Sequence, residues 1–289
     1  MDSLGYTMPL GSVLPNKLCQ VGPYPFDSCD YVVSACNRSL GGDVFYHFDL
    51  RYSLTKYLAY TDWVRAYLLK EFSELVKIRS NSFRGIVVHT SCPYPDNSFG
   101  DLFPEDILKT MDSRIYDIAT LSKYYPKWKD LALDSLGEFA KDLVDRVGTL
   151  SVPIYLENVV DSTPRWSTDN FFSMLDYIRS FGIYGLCVDT EHLYASHGIT
   201  LGGVENLLRS YSILGGLPLL VHLNTIPKGV RPYRRLDRHS NTSLSECSVY
   251  SLEDYKSFVY TCKSLGIPCI REVNKSVMER ETKDLCQNL

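Results

Sequence analysis

Nine imidazole and carboxylate side chains stand at the ends of apolar runs or in loops just beyond them. Six close or follow such a run directly: His47 in VFYH, His89 in IVVH, Glu157 in IYLEN, Asp189 in LCVDTEH, His222 in LLVHLN and Glu272 in CIREV. Three more, His192, Asp237 and His239, follow in DTEH and LDRH and read as loop residues. Imidazole and carboxylate together form the donor set that suits zinc and its neighbours. Carboxylates inside apolar strands are almost never buried unless paired or metal-bound. Glu157, Asp189 and Glu272 converging without cations would repel one another. The set points to a multinuclear metal site. A metal-free network of His–carboxylate hydrogen bonds is the alternative reading. His197, in YASHGI, fits no strand end and reads as a loop residue.

Such residues need a scaffold that brings strand ends together. Apolar runs at 31–36, 43–48, 85–89, 152–157, 184–189, 217–223 and 267–273, with a weaker one near 5–10, read as the continuous buried strands of a parallel sheet. Between them, 61–79, 131–147, 168–180, 203–214 and 252–265 carry apolar residues at helical spacing. Gly182 and Gly266 close two of these helices just before the next strand. The alternation predicts an α/β fold, a TIM-type (β/α)8 barrel spanning 1–289 as one domain. Its functional face lies at the C-terminal ends of the strands.

Two regions depart from the pattern. Only NRSLGG separates the runs at 31–36 and 43–48, whereas a parallel crossover takes a dozen residues or more. Either those runs form a hairpin or one is not a barrel strand. With Pro15, Pro23 and Pro25 discouraging a regular helix, the N-terminal portion reads as irregular and shortened. The aromatic, Pro-punctuated stretch 91–130 reads either as a cover over the barrel mouth, with one or two short helices, or as a surface insertion with no role.

Nine cysteines with no CxxC pair argue against a disulfide scaffold or a thiolate zinc finger. With no basic start or apolar core at the N-terminus, the expectation is an intracellular protein, cytoplasmic or nuclear, without a membrane span. The net charge of −4 argues weakly against nucleic-acid binding. That count includes the candidate ligands Glu157, Asp189, Asp237 and Glu272, whose local sign divalent ions would reverse. Beside them, KGVRPYRRLDRH concentrates Lys228, Arg231, Arg234, Arg235 and Arg238. Lying between two candidate ligands, this run reads as a phosphate-binding loop, with a solvated surface loop as the plainer reading.

In order, LENVV, GLCVDTEHLYASHGI, LVHLN and LDRH resemble the endonuclease IV family of apurinic/apyrimidinic endonucleases, which are xylose isomerase-like barrels. The resemblance runs from about His47 to Glu272, and all nine ligand positions of the family carry a matching residue type. It implies three zinc ions: His47 and His89 on the first; Asp189, His222 and Glu272 on the second, with Glu157 bridging the two; His192, Asp237 and His239 on the third. It also implies a monomeric DNA-repair enzyme. Such an enzyme hydrolyses the phosphodiester 5′ to abasic sites in double-stranded DNA, with Glu157 and Glu272 as catalytic residues. Departures from the family pattern are Thr225 after HLN, Thr90 and Ser91 after His89, and the short stretch NRSLGG, where the family has a helix. The alternatives are a sugar isomerase or epimerase on the same barrel, and a DNA-binding homologue that has lost catalysis.

Overall fold

The structure is a computed structural model that describes residues 4–8, 12–13, 16–22, 28–90, 109, 111–124, 127–159, 175–214, 217–226, 243–246, 249–274 and 276–281. Eight parallel strands close into a barrel in chain order: β1 (Leu4–Thr7), β2 (Cys19–Val21), β3 (Val44–His47), β4 (Phe83–Thr90), β5 (Ile154–Asn158), β6 (Tyr184–Asp189), β7 (Leu219–His222) and β8 (Cys269–Arg271). β1 pairs with both β2 and β8, so the ring has no open edge. The fold is the (β/α)8 barrel expected from the sequence.

Helices follow the strands: α1 (Ser28–Ser39), α2 (Asp62–Leu75), α3 (Ile118–Tyr124), α4 (Trp128–Val147), α5 (Leu175–Ser180), α6 (Thr190–His197), α7 (Leu201–Leu214) and α8 (Leu252–Ser264). α4 shows why these segments coil. Leu131, Ala132, Ser135, Leu136, Phe139, Ala140 and Leu143 are buried, which is one stripe of a 3.6-residue repeat. α8 starts on a reciprocal cap: Ser251 Oγ accepts from the Asp254 amide, and the Asp254 side chain accepts from the Ser251 amide.

Residues 31–36 are not a strand; they lie inside α1. The β-branched run YVVSAC suggested a strand, but Ser28, Val32, Ala35, Cys36 and Ser39 are the buried positions, which is helical spacing. The second strand is Cys19–Val21, paired with β1 and β3. NRSLGG is therefore the end of α1 and its turn into β3, and a helix does join the second and third strands. The shortening lies one step earlier: between β1 and β2 the described residues hold no α-helix.

Side chains two apart along a strand share a face. On six strands this places an apolar residue and then a polar one on the barrel's inner face: Phe45 and His47, Val87 and His89, Tyr155 and Glu157, Cys187 and Asp189, Leu220 and His222, Ile270 and Glu272. The first member of each pair joins a closed cluster, with Leu18 packed against it. The second members form a polar ring one layer above, at the strand ends. Phe45 and Tyr155 meet edge to face with centroids 5.6 Å apart. Tyr155 fits because its neighbours are glycines: a Cβ on Gly185 would lie 2.8 Å from Tyr155 Cδ1 and 2.8 Å from the Pro218 carbonyl oxygen. Each large apolar side chain in this floor contributes about 1.5–3 kcal/mol through burial.

Part of the 91–130 stretch falls on described residues. Ile115 and Asp117 exchange backbone hydrogen bonds with Thr61 and Ala59, and Tyr116 stacks on Tyr60 at 5.4 Å. This portion, with the short helix α3, packs on the connection after β3. Tyr94, Phe99 and Phe103 lie outside the described residues. Among those described, no helix is long and apolar enough to cross a membrane.

Candidate metal centre

The register of the barrel makes the polar ring. His89 is level with Glu157, and Asp189 with His222. Glu157 sits at the middle with no solvent exposure. Its Oε2 lies 3.0 Å from His47 Nε2 and 3.6 Å from His89 Nε2. Its Oε1 lies 3.1 Å from His222 Nδ1. His222 Nδ1 is also 3.4 Å from Glu272 Oε2. His192 sits in the first turn of α6 rather than in a loop, because Asp189 caps that helix by accepting from the His192 amide. Its Nδ1 is 3.7 Å from Asp189 and 3.9 Å from Glu157. The described members of the predicted set thus converge: His47, His89, Glu157, Asp189, His192, His222 and Glu272. Asp237, His239 and the basic residues Lys228, Arg231, Arg234, Arg235 and Arg238 lie outside the described residues. His197 is the last residue of α6.

Three side chains that the sequence reading gave no role brace this ring. Gln20 on β2, fully buried, donates from Nε2 to Glu272 Oε1 at 3.1 Å, and its Oε1 lies 2.8 Å from His222 Nε2. Asn224 Nδ2 donates to Asp189 Oδ2 at 2.7 Å and to Glu272 Oε2 at 3.2 Å. Asn158 accepts from the Asp189 amide at 2.8 Å and donates to its carbonyl at 3.1 Å. Asn158 and Asn224 stand inside the LENVV and LVHLN motifs, and Gln20 is the one polar residue of LCQVG. A lone polar residue in an apolar run was the available signal.

Electrostatics follow from this geometry. Burial disfavours a charged Glu157, but His222, His89 and His47 outweigh it and hold its pKa well below the carboxylate norm. Burial also opposes charge on His47, and the hydrogen bond and charge of Glu157 overcome it, so its pKa is raised. On His222, burial is overcome by Cys187, Glu272 and Glu157, and the pKa rises well above 6.5. His89 goes the other way: burial pushes it down to about 3, so it is neutral at pH 7. Burial pushes the Cys187 thiol up to about 12. It belongs to the apolar floor as a thiol, although its sulfur is within ligand reach of Glu157 and His222.

A divalent cation fits these donors. Two overlapping groups of imidazoles and carboxylates have ligand atoms within 4.8 Å of one another: His47, His89 and Glu157; and Glu157, Asp189, His222 and Glu272. Three imidazoles also have one nitrogen committed to a carbonyl acceptor. His47 Nδ1 donates to the Phe48 carbonyl at 2.8 Å, His192 Nδ1 to the Asn158 carbonyl at 2.8 Å, and His222 Nε2 to the Gln20 side-chain carbonyl. Pinning one nitrogen fixes the tautomer and frees the other as a ligand, the usual arrangement at metal sites.

No family model matches the chain, and no curated protein matches it in sequence. Solved structures do share its fold. 3-Keto-D-glucoside 4-epimerase YcjR from E. coli superposes with a TM-score of 0.56 at 10% identity, over 99% of this chain and 98% of its own. The IOLI protein, with a binding zinc atom, superposes with a TM-score of 0.52 at 12% identity, over 94% and 88%. An AP endonuclease, family 2, from Brucella melitensis gives 0.49 at 10% identity, over 94% and 92%. At such identities the first two likenesses establish the barrel alone.

Proposed function

We propose that this chain is a zinc-dependent deoxyribonuclease that cleaves double-stranded DNA 5′ to abasic sites. The observation that carries the reading is the division of labour on Glu157. One oxygen faces His47 and His89, and the other faces His222, so one buried carboxylate serves two donor groups. A single ion on Glu157, Asp189, His222 and Glu272 would leave His47 and His89 as partners of the Glu157 carboxylate and not as ligands. Two ions sharing Glu157, and a third held by His192, Asp237 and His239, would employ all nine predicted ligands.

Bound zinc would supply Lewis acidity toward water and toward the phosphate oxygens. The protein's own residues do the rest. Glu157 holds the two donor groups at a fixed separation. Glu272, whose side chain keeps 13% exposure at the rim, orients the attacking water and accepts its proton. Lys228, Arg231, Arg234, Arg235 and Arg238 neutralise flanking phosphates. The abasic nucleotide is turned out of the duplex to reach the barrel mouth, which costs least where no base is stacked. The protein acts as a monomer in this account.

The test is incubation of the zinc-loaded protein with a duplex carrying one abasic site. A nick 5′ to the site, leaving a 3′-hydroxyl, is expected. Binding without nicking would indicate a homologue that has lost catalysis.

One observation favours a second reading. Glu157, Asp189, His222 and Glu272 by themselves offer three carboxylates and one imidazole, a donor set for one ion. That arrangement suits proton transfer on a sugar, as a ketose epimerase or isomerase performs, and YcjR is described as an epimerase. Epimerisation of free sugars without nicking would decide for it.

A further inference from the structure

We infer that Gln20 is a positioning residue: its side-chain amide commits His222 to bind a cation through Nδ1 and holds Glu272 beside that nitrogen. The inference rests on the metal-centre reading above and extends it to a residue outside the ligand set.

Donor and acceptor inventories fix the orientation of the Gln20 amide. Glu272 Oε1 lies 3.1 Å from one end of it. A ligand carboxylate is ionised and only accepts, so that end must be the NH2 group. The same group reaches Thr7 Oγ1 at 3.2 Å. The other end is therefore the carbonyl, 2.8 Å from His222 Nε2. A carbonyl only accepts, so His222 must carry a proton on Nε2. Its second nitrogen, Nδ1, then faces Glu157 Oε1 at 3.1 Å and Glu272 Oε2 at 3.4 Å. The Cys187 thiol and the Asp189 carboxylate, both on β6, also come within 4.8 Å of a ring nitrogen of His222. One amide thus sets the tautomer of one ligand and the position of another. His47 and His192 rely on backbone carbonyls for the same service, so of these three imidazoles His222 is the one at which a side-chain change can remove it.

Gln20 is fully buried, and its strand pairs with β1 and β3. Its replacement by leucine keeps the approximate volume but supplies no acceptor for His222 and no donor for Glu272. Gln20→Glu keeps the acceptor and loses the donor.

The experiment uses zinc-loaded protein with 15N-labelled histidine. Two-bond 15N–1H correlations identify which nitrogen of His222 carries the proton, with His222→Gln providing the assignment. In the wild type, Nε2 is expected to be protonated and Nδ1 bound to zinc. Gln20→Leu is expected to lower zinc affinity about 10–100-fold, the usual effect of removing such a partner. It should also expose the Nε2 proton to faster exchange. Gln20→Glu should retain coordination through Nδ1. Wild-type coordination through Nε2 would overturn the inference without recourse to any variant. Unchanged zinc affinity and proton exchange in folded Gln20→Leu would overturn it too. If the wild type binds no divalent ion, the metal-centre reading falls first, and the inference with it.

Discussion

Glu157→Gln isolates the charge at the centre of the site. The substitution is nearly isosteric, and the side chain is completely buried, so packing around it is preserved. The loss is one negative charge that sits 3.0 Å from His47 Nε2 and 3.1 Å from His222 Nδ1, between the two donor groups. Gln also brings an NH2 donor toward nitrogens that should be offering lone pairs. Removing one partner of a buried, paired charge costs about 3–5 kcal/mol. At about 1.4 kcal/mol per tenfold change, that corresponds to roughly two to three and a half decades of metal affinity. Titration of metal-free protein against a chromophoric chelator measures this directly, alongside metal content after dialysis and nicking of abasic duplex. The variant is expected to fold, to lose metal on dialysis and to cut poorly. Wild-type affinity and nicking in Glu157→Gln would refute the shared-carboxylate reasoning.

Other outcomes follow from the same geometry. In the metal-free protein, the joint contribution of the four shifted site groups to stability is greatest near the ordinary histidine pKa of 6.5. Above about 6.5, the raised pKa values of His47 and His222 mean that stability present at lower pH is lost as they deprotonate. Below 6.5, the depressed His89, at about 3, and then Glu157 lose their contributions as they are protonated. Melting temperature against pH, with and without zinc, checks this: zinc should remove the alkaline decline, and a metal-free melting temperature still climbing to pH 8 would contradict it. Gly185→Ala should cost about 1–3 kcal/mol, because the added methyl meets the Tyr155 ring and the Pro218 carbonyl. Its melting temperature should fall by about 2–4 °C for each kcal/mol, and an unchanged value would mean that the barrel floor yields. Replacing Arg234 and Arg235 by Ala should weaken DNA binding and reduce its salt slope by about one per lost phosphate contact. An unaltered slope would mark the basic run as a solvated surface.

Seven of the eight strands left a mark in the sequence because each is a local apolar run of the kind a parallel sheet buries on both faces. β2 did not. It has three residues with glutamine at the centre, and it is a strand because β1 and β3 hold it in register, which is a non-local fact. With β2 so short, the nearby apolar run YVVSAC looks like the strand before β3, although its buried positions follow helical spacing. The same shortness hid Gln20. The ligand candidates were legible for a simpler reason. A histidine or carboxylate at the end of an apolar strand is costly unless something receives it, and a barrel brings all such ends to one face. Asn158 and Asn224 were in view within their motifs, but an amide gives no sign in sequence of whether it braces a carboxylate or faces water.

Metal content per chain, measured by elemental analysis on protein reconstituted with zinc and paired with nicking of the same sample, tests the central claim most directly. The account predicts three zinc ions per chain, with incision 5′ to abasic sites lost on chelation and restored by zinc. A single ion per chain, with sugar epimerisation in place of incision, would contradict it.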